Sequence, residues 1–135
     1  MIEHLDPSSR SALIEYRLQR ANETLKEADF NESGGYFNAA VNRLYYAAYY
    51  AASALMLAYG YDCSTHAGIK TMLSLNFVKP GLLDRVHGRT FMSLLESRHA
   101  GDYEDFVYCD QNLYDLLKPK TVDFINAIQT LIKNN

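Results

Sequence analysis

Cysteine is nearly missing: Cys63 and Cys109 are the only two, and neither sits in a CxxC pair or among plausible metal-ligand neighbours. A secreted disulfide framework is thereby excluded, a reducing cytoplasm is the simpler setting, and both residues are expected as buried thiols. The opening MIEHLDPSSR has no apolar leader core, so no signal peptide is expected. Long apolar runs are lacking too. The least charged stretch is broken by tyrosines, Asn42 and Arg43, which argues against a membrane span and for a soluble, cytoplasmic chain. Neither charge dominates: 13 Lys and Arg against 16 Asp and Glu leave −3. That balance offers no global attraction to nucleic acid, so any RNA contact must rest on a local basic patch. There is no HxxxH pair, HExxH motif, Gly-rich phosphate loop or GxSxG elbow, so no metal and no cofactor are expected. Strand-like alternation and internal repeats are absent as well.

What is present is helix. Apolar residues make up 48% of 135 residues and charged ones 21%, which fits one folded domain over 1–135. Its centre is the stretch 36–60, with eight alanines, six tyrosines and one strong charge, Arg43. At 100° per residue, Phe37, Val41, Leu44, Tyr45, Ala48, Ala52, Leu55 and Tyr59 share one face. A second face carries Asn42, Tyr46, Tyr49, Ser53 and Met56. The third is small, with Ala39, Ala40, Ala47, Ala51, Ala54 and Ala58 beside Arg43 and Tyr50. The first face can be satisfied within the bundle, leaving the alanine face or the Asn42–Tyr46–Tyr49–Ser53 face as surplus surface for a second subunit or for the segment around Arg98.

A first helix is expected from Ser8 or Ser9, either of which can cap it after Pro7. Its stripe is Ile14, Leu18, Ala21, Leu25 and Ala28; Arg10, Arg17, Arg20 and Lys26 lie off it, on a solvated face. Gly34-Gly35 supplies the turn into the central helix. A third, short helix is expected from His66 to Val78 behind Ser64 or Thr65, ending at Lys79-Pro80-Gly81. A fourth takes Leu82, Leu83, Val86, Phe91, Leu94 and Leu95 inward and finishes around Arg98. The last starts near Asp110, and Pro119 kinks or restarts it. The fold class is therefore all-α: an up-and-down bundle of four long helices plus a short connecting helix.

The densest group of reactive side chains is Ser97-Arg98-His99-Ala100-Gly101-Asp102-Tyr103. On a continuing helix Arg98 and Asp102 pair across one turn. If the helix stops, Gly101 makes the bend and Arg98 meets a phosphate or a partner carboxylate. His66 reads as a cap-region residue, His87 as part of a solvated basic face with Arg85 and Arg89, and His4 as part of a frayed end.

Taken together, Asn42-Arg43-Leu44-Tyr45-Tyr46-Ala47, Thr65-His66-Ala67-Gly68, Phe77-Val78-Lys79 and Arg98 followed by Gly101-Asp102-Tyr103 resemble the HEPN superfamily. More narrowly, the chain is similar to its small stand-alone prokaryotic branch with an Arg-x-x-Gly-Asp-Tyr segment. The likeness runs from about residue 10 to 132. It implies a helical bundle paired as a homodimer along the long helices. It also implies a minimal nucleotidyltransferase partner in a toxin–antitoxin-like or related two-component system, with nucleotide or RNA bound near Asn42, Arg43, Tyr46, Arg98, Asp102 and Tyr103. Active members are metal-independent ribonucleases with Arg followed, after four to six residues, by His. That signature is absent here: no Arg stands five to seven residues before His66, His87 or His99, and Tyr103 occupies the first permitted place after Arg98. A weakly catalytic or non-catalytic binding subunit is the leading expectation. The alternatives are a ribonuclease whose catalytic residues are Arg98 with His99 or Tyr103, and a purely structural or regulatory helical dimer.

Overall fold

A computed structural model describes residues 5–63, 65–103 and 109–135, with the side chains of 99–103 outside the described set. Among the described residues there are only helices: α1 (Pro7–Ser33), α2 (Phe37–Ala58), α3 (His66–Leu73), a π-helical turn (Ser74–Val78), α4 (Arg85–Tyr103) and α5 (Gln111–Lys133). The all-α bundle expected from the periodicity is the fold observed. No helix of the described residues is long and apolar enough to cross a membrane.

The first cap differs from expectation. Asp6, not a serine, accepts the Ser9 N–H at 2.7 Å, and Pro7 takes the first helical position, where its missing N–H costs nothing. At the far end Gly35 adopts a positive φ of 78°, which a side chain would resist, and turns the chain into α2.

Helix α2 is the axle of the molecule. Every residue from Ala51 to Leu57 is buried, as are Ala40, Val41, Leu44, Tyr45, Ala47 and Ala48. Its alanine face is not surplus surface. Arg43 pairs with Glu27 of α1 at 3.4 Å, and the Arg20 guanidinium of α1 lies 5.2 Å from the Tyr50 ring, which fixes that face against α1. The buried residues of α1 are themselves small, Ala21, Thr24 and Ala28, so the two backbones approach closely. Arg10 and Arg17 also leave the expected solvated face. They are half-buried and donate to the carbonyls of Leu57 (3.0 Å) and Ser53 (3.3 Å) on α2. Arg20 is held as well, by Glu23 at 3.2 Å and Glu27 at 3.4 Å. Small stripes with no room for long side chains leave arginines at the seam, where they cover apolar surface with their stems and reach main-chain oxygens.

Helix α5 closes a second side. Phe124 stacks on Phe91 of α4, with ring centres 5.8 Å apart, and Phe91 lies 5.6 Å from Tyr45. Rings buried this completely contribute roughly 1.5–3 kcal/mol each. Pro119 neither ends nor restarts α5, which runs unbroken from Gln111 to Lys133. Asp110 caps that helix, accepting from Leu113 N–H at 2.9 Å.

Helix α4 is displaced at both ends from the sequence reading. It starts at Arg85, leaving Leu82 and Val86 exposed rather than inward. It does not finish at Arg98 but continues through Tyr103. His87, expected on a solvated face, is half-buried against the Phe124 ring, with Nδ1 buried and lacking a hydrogen-bond partner among the described residues. The third expected helix splits: its last turn is wound as a π-helix, with Phe77 buried between Tyr59 and Tyr61.

Candidate functional site

The second face of α2 meets α3 and α4, and there the chemistry collects. Tyr45 is fully buried, and its hydroxyl lies 2.5 Å from Nδ1 of His66. His66 stacks on Tyr49 at 4.3 Å between ring centres and sits edge-on to Tyr46 at 5.8 Å. Arg98, from α4, places its guanidinium 5.5 Å from the ring centres of both Tyr45 and Tyr46. Arg43 approaches the same Tyr46 ring at 5.0 Å and is held by the Asn42 side-chain oxygen at 2.9 Å. A guanidinium over a tyrosine face gains about 0.5–2 kcal/mol, more as water is excluded, so both arginines are steered by the rings.

Local sequence explains how His66 arrives there. Thr65 caps α3, its hydroxyl accepting the Gly68 N–H at 2.9 Å. A Cβ at Gly68 would meet Thr65 Oγ1 at 2.7 Å and Cys63 Sγ at 2.8 Å, so only glycine fits beneath the cap. The Thr-His-Ala-Gly run is thus a tight helix start that puts the imidazole at the first helical position, against the α2 tyrosines.

Burial pushes the Tyr45 hydroxyl far above its ordinary pKa, with Arg98 pulling against it. Tyr49 is likewise raised by burial, opposed by Arg17. Both phenols stay protonated at neutral pH, so neither supplies a base. The Tyr45 hydroxyl engages Nδ1 of His66, so the other polar atom of the ring is Nε2. Burial also raises the Cys63 thiol, which keeps it out of thiolate chemistry.

Of the residues expected to act, Asn42, Arg43, Tyr46 and Arg98 converge at this site. The backbone of His99, Asp102 and Tyr103 continues α4. That puts position 102 one turn beyond Arg98, position 99 about 100° round from it and position 103 about 140°. Their side chains lie outside the described residues. Sequence reasoning missed His66, Tyr45 and Tyr49 as site residues. His66 reads as a cap-region residue within the Thr65-His66-Ala67-Gly68 segment, and nothing local announces a partner 21 residues back on another helix. Among the described residues no group of His, Cys, Asp and Glu is arranged to hold a metal ion.

The arrangement gathers two guanidiniums, tyrosine rings and an imidazole around Tyr46, residue types that serve phosphate recognition, base stacking and proton transfer. A profile of the HEPN domain matches residues 14–130. The chain is 34% identical over 128 residues to a UPF0332 protein of Thermotoga maritima, covering 94% of this chain and 96% of the relative. Two proteins of Methanocaldococcus jannaschii whose names mark them as candidate toxins are also similar. One is 31% identical over 90 residues, 67% of each chain. The other is 24% identical over 123 residues, 90% of this chain and 84% of the relative.

Proposed function

The chain belongs to the HEPN domain family, and from that premise we propose that it is the helical subunit of a toxin-related two-component system. In this reading it holds a phosphate-bearing ligand, RNA or a nucleotide, against Arg98, Tyr46 and His66. It works as a homodimer beside a minimal nucleotidyltransferase-type protein. The carrying observation is the convergence of two guanidiniums, Arg43 and Arg98, on one half-buried phenol ring, with His66 against the same ring. Arg43 is already paired with Glu27, so in this reading Arg98 meets the phosphate while the Tyr46 ring lies beside it. The toxin-related part draws on the names carried by two of its relatives. Capture of the tagged chain at endogenous levels tests the system: a nucleotidyltransferase-type protein is expected to co-purify, and recovery of none contradicts the two-component reading.

One observation favours a second reading, a metal-independent ribonuclease. A histidine oriented by a buried tyrosine sits against the rings that carry an arginine. His66 Nε2 would take the 2′-hydroxyl proton as the 2′-oxygen attacks phosphorus, while Arg98 would steady the charge that builds on the phosphoryl oxygens. The P–O5′ bond would break to leave a 2′,3′-cyclic phosphate and a 5′-hydroxyl that receives its proton back from His66 or from water. RNA cleavage that persists with chelator, survives His99→Ala and disappears in His66→Ala supports this reading. Intact RNA after prolonged incubation with the wild type overturns it.

A further inference from the structure

Between α3 with its π turn on one side and α4 on the other lies an open groove of about 740 Å³. Its floor is apolar, with Leu73, Val78 and Phe91 at the bottom and exposed Leu75 and Met92 along its walls. Eight large apolar side chains are exposed among the described residues; four of them, Leu75, Leu82, Val86 and Met92, belong to the segments that form or adjoin this groove. Scattered apolar side chains need no explanation, but a concentration on one face marks a contact surface. The wall carrying Leu75 is the π turn, a winding that is rare and frequently found at functional sites. Gly88 belongs to the same construction. A Cβ there would stand 3.3 Å from Val78, so glycine lets α4 close on the π turn and sets the depth of the floor.

The rim is basic. Lys70, Arg85 and Arg89 line the groove with Glu96 as its one acid, and none of the three cations makes an ion pair among the described residues. In a chain of net charge −3 this is a local reversal of sign. The lining runs from Arg85 to Glu96, roughly 16 Å along α4, or about three helical turns. The geometry points to an amphipathic helix of a partner protein as the occupant, its apolar stripe on the floor and its flanking acidic side chains against Lys70, Arg85 and Arg89. Nucleic acid is the poorer match, because Phe91 is buried and the exposed apolar side chains, Leu75 and Met92, are not aromatic and give bases little to stack on. The inference rests on the two-component reading but places the partner on a surface distinct from the Arg98 cluster.

The test uses the full chain and two fluorescein-labelled synthetic peptides of about twelve residues, enough for three turns. Each carries leucines at helical spacing; one has flanking glutamates and the other lysines in their place. Anisotropy is expected to show the glutamate peptide binding at least about tenfold more tightly than the lysine peptide. Joint Arg85→Glu and Arg89→Glu exchange is expected to invert that preference, and Met92→Gln to weaken both peptides. Arg98→Ala is expected to bind like wild type, so failure of the ligand site and failure of the groove read separately. All these positions except Arg98 are exposed, and unchanged circular dichroism checks the fold. Three results overturn the proposal. One is equal or undetectable binding of the two peptides. Another is single-stranded RNA binding that is lost with the arginine exchange. The last is light scattering in which that exchange turns a dimer into a monomer, which would assign the groove to a second copy.

Discussion

Tyr45 and His66 show how one hydrogen bond can organise a site. Tyr45 is wholly buried on α2, and its hydroxyl has the imidazole as its partner. Tyr45→Phe keeps the ring and deletes that partner, leaving Nδ1 unsatisfied. We expect a loss of about 1–3 kcal/mol in urea denaturation. His66→Ala is expected to cost a similar amount, because it strands the phenol instead. At the start of α3, Gly68→Ala drives a Cβ into the Thr65 hydroxyl that caps the helix. Its cost should be about 1 kcal/mol, similar to Thr65→Ala, with the double variant well short of the sum, since both changes remove one cap. Full additivity would show that glycine and threonine act separately. None of this was legible in the residues taken singly. His66 follows a capping threonine, and a cap-region role is what that position ordinarily means. Its contact with α2 depends on how two helices cross.

At the scale of elements, the sequence was most informative where periodicity was clean. The stripes of α1, α2 and α5 predicted helices that are there, and Gly34-Gly35 predicted the turn between the first two. It was least informative where packing overrode pattern. The alanine face of α2 reads as spare surface, yet the small stripe of α1 covers it and the arginines of α1 fill the seam. The stop expected near Arg98 rests on the polar composition that follows, but polar residues carry no backbone bar to a helix, and the backbone stays helical to Tyr103. Pro119 removes one N–H from α5 without ending it, because the helix is held to the bundle on both sides of it by Leu117, Thr121 and Phe124. The seam between α1 and α5 gives a pH test. Burial alone would raise the Asp29 carboxyl, but hydrogen bonds from Lys118 and Tyr114 outweigh it and hold the pKa below the ordinary value. A depressed folded-state pKa stabilises above the unfolded-state value and loses that contribution as pH falls through the folded one. The stability difference between wild type and Asp29→Asn should therefore be full near neutrality and shrink below about pH 4. Asp29 is about half exposed, so the difference should be small. A gap that stays constant to low pH would mean that the carboxylate charge contributes nothing to the seam.

For the whole molecule, α2 lies at the middle of everything described. It is sheathed by α1 on its small face and by α5 on its large apolar face, and it meets α3 and α4 along its tyrosines. Past its exposed start at Asn38 and Ala39, the side chains it leaves half-buried along its middle are Asn42, Arg43, Tyr46, Tyr49 and Tyr50. We propose that two copies pairing along this helix would meet at that half-buried rim. Light scattering should then report a dimer for wild type and a monomer for Tyr49→Glu; a monomeric wild type contradicts pairing altogether. In the proposed function Arg98, Tyr46 and His66 together hold a phosphate-bearing ligand. That role is tested most directly by titrating a labelled single-stranded RNA into wild type, Arg98→Ala and Tyr46→Ala at several salt concentrations. Salt-sensitive binding is expected, falling about tenfold or more in either variant, with the salt slope reduced in Arg98→Ala. Equal affinity in all three proteins would contradict it.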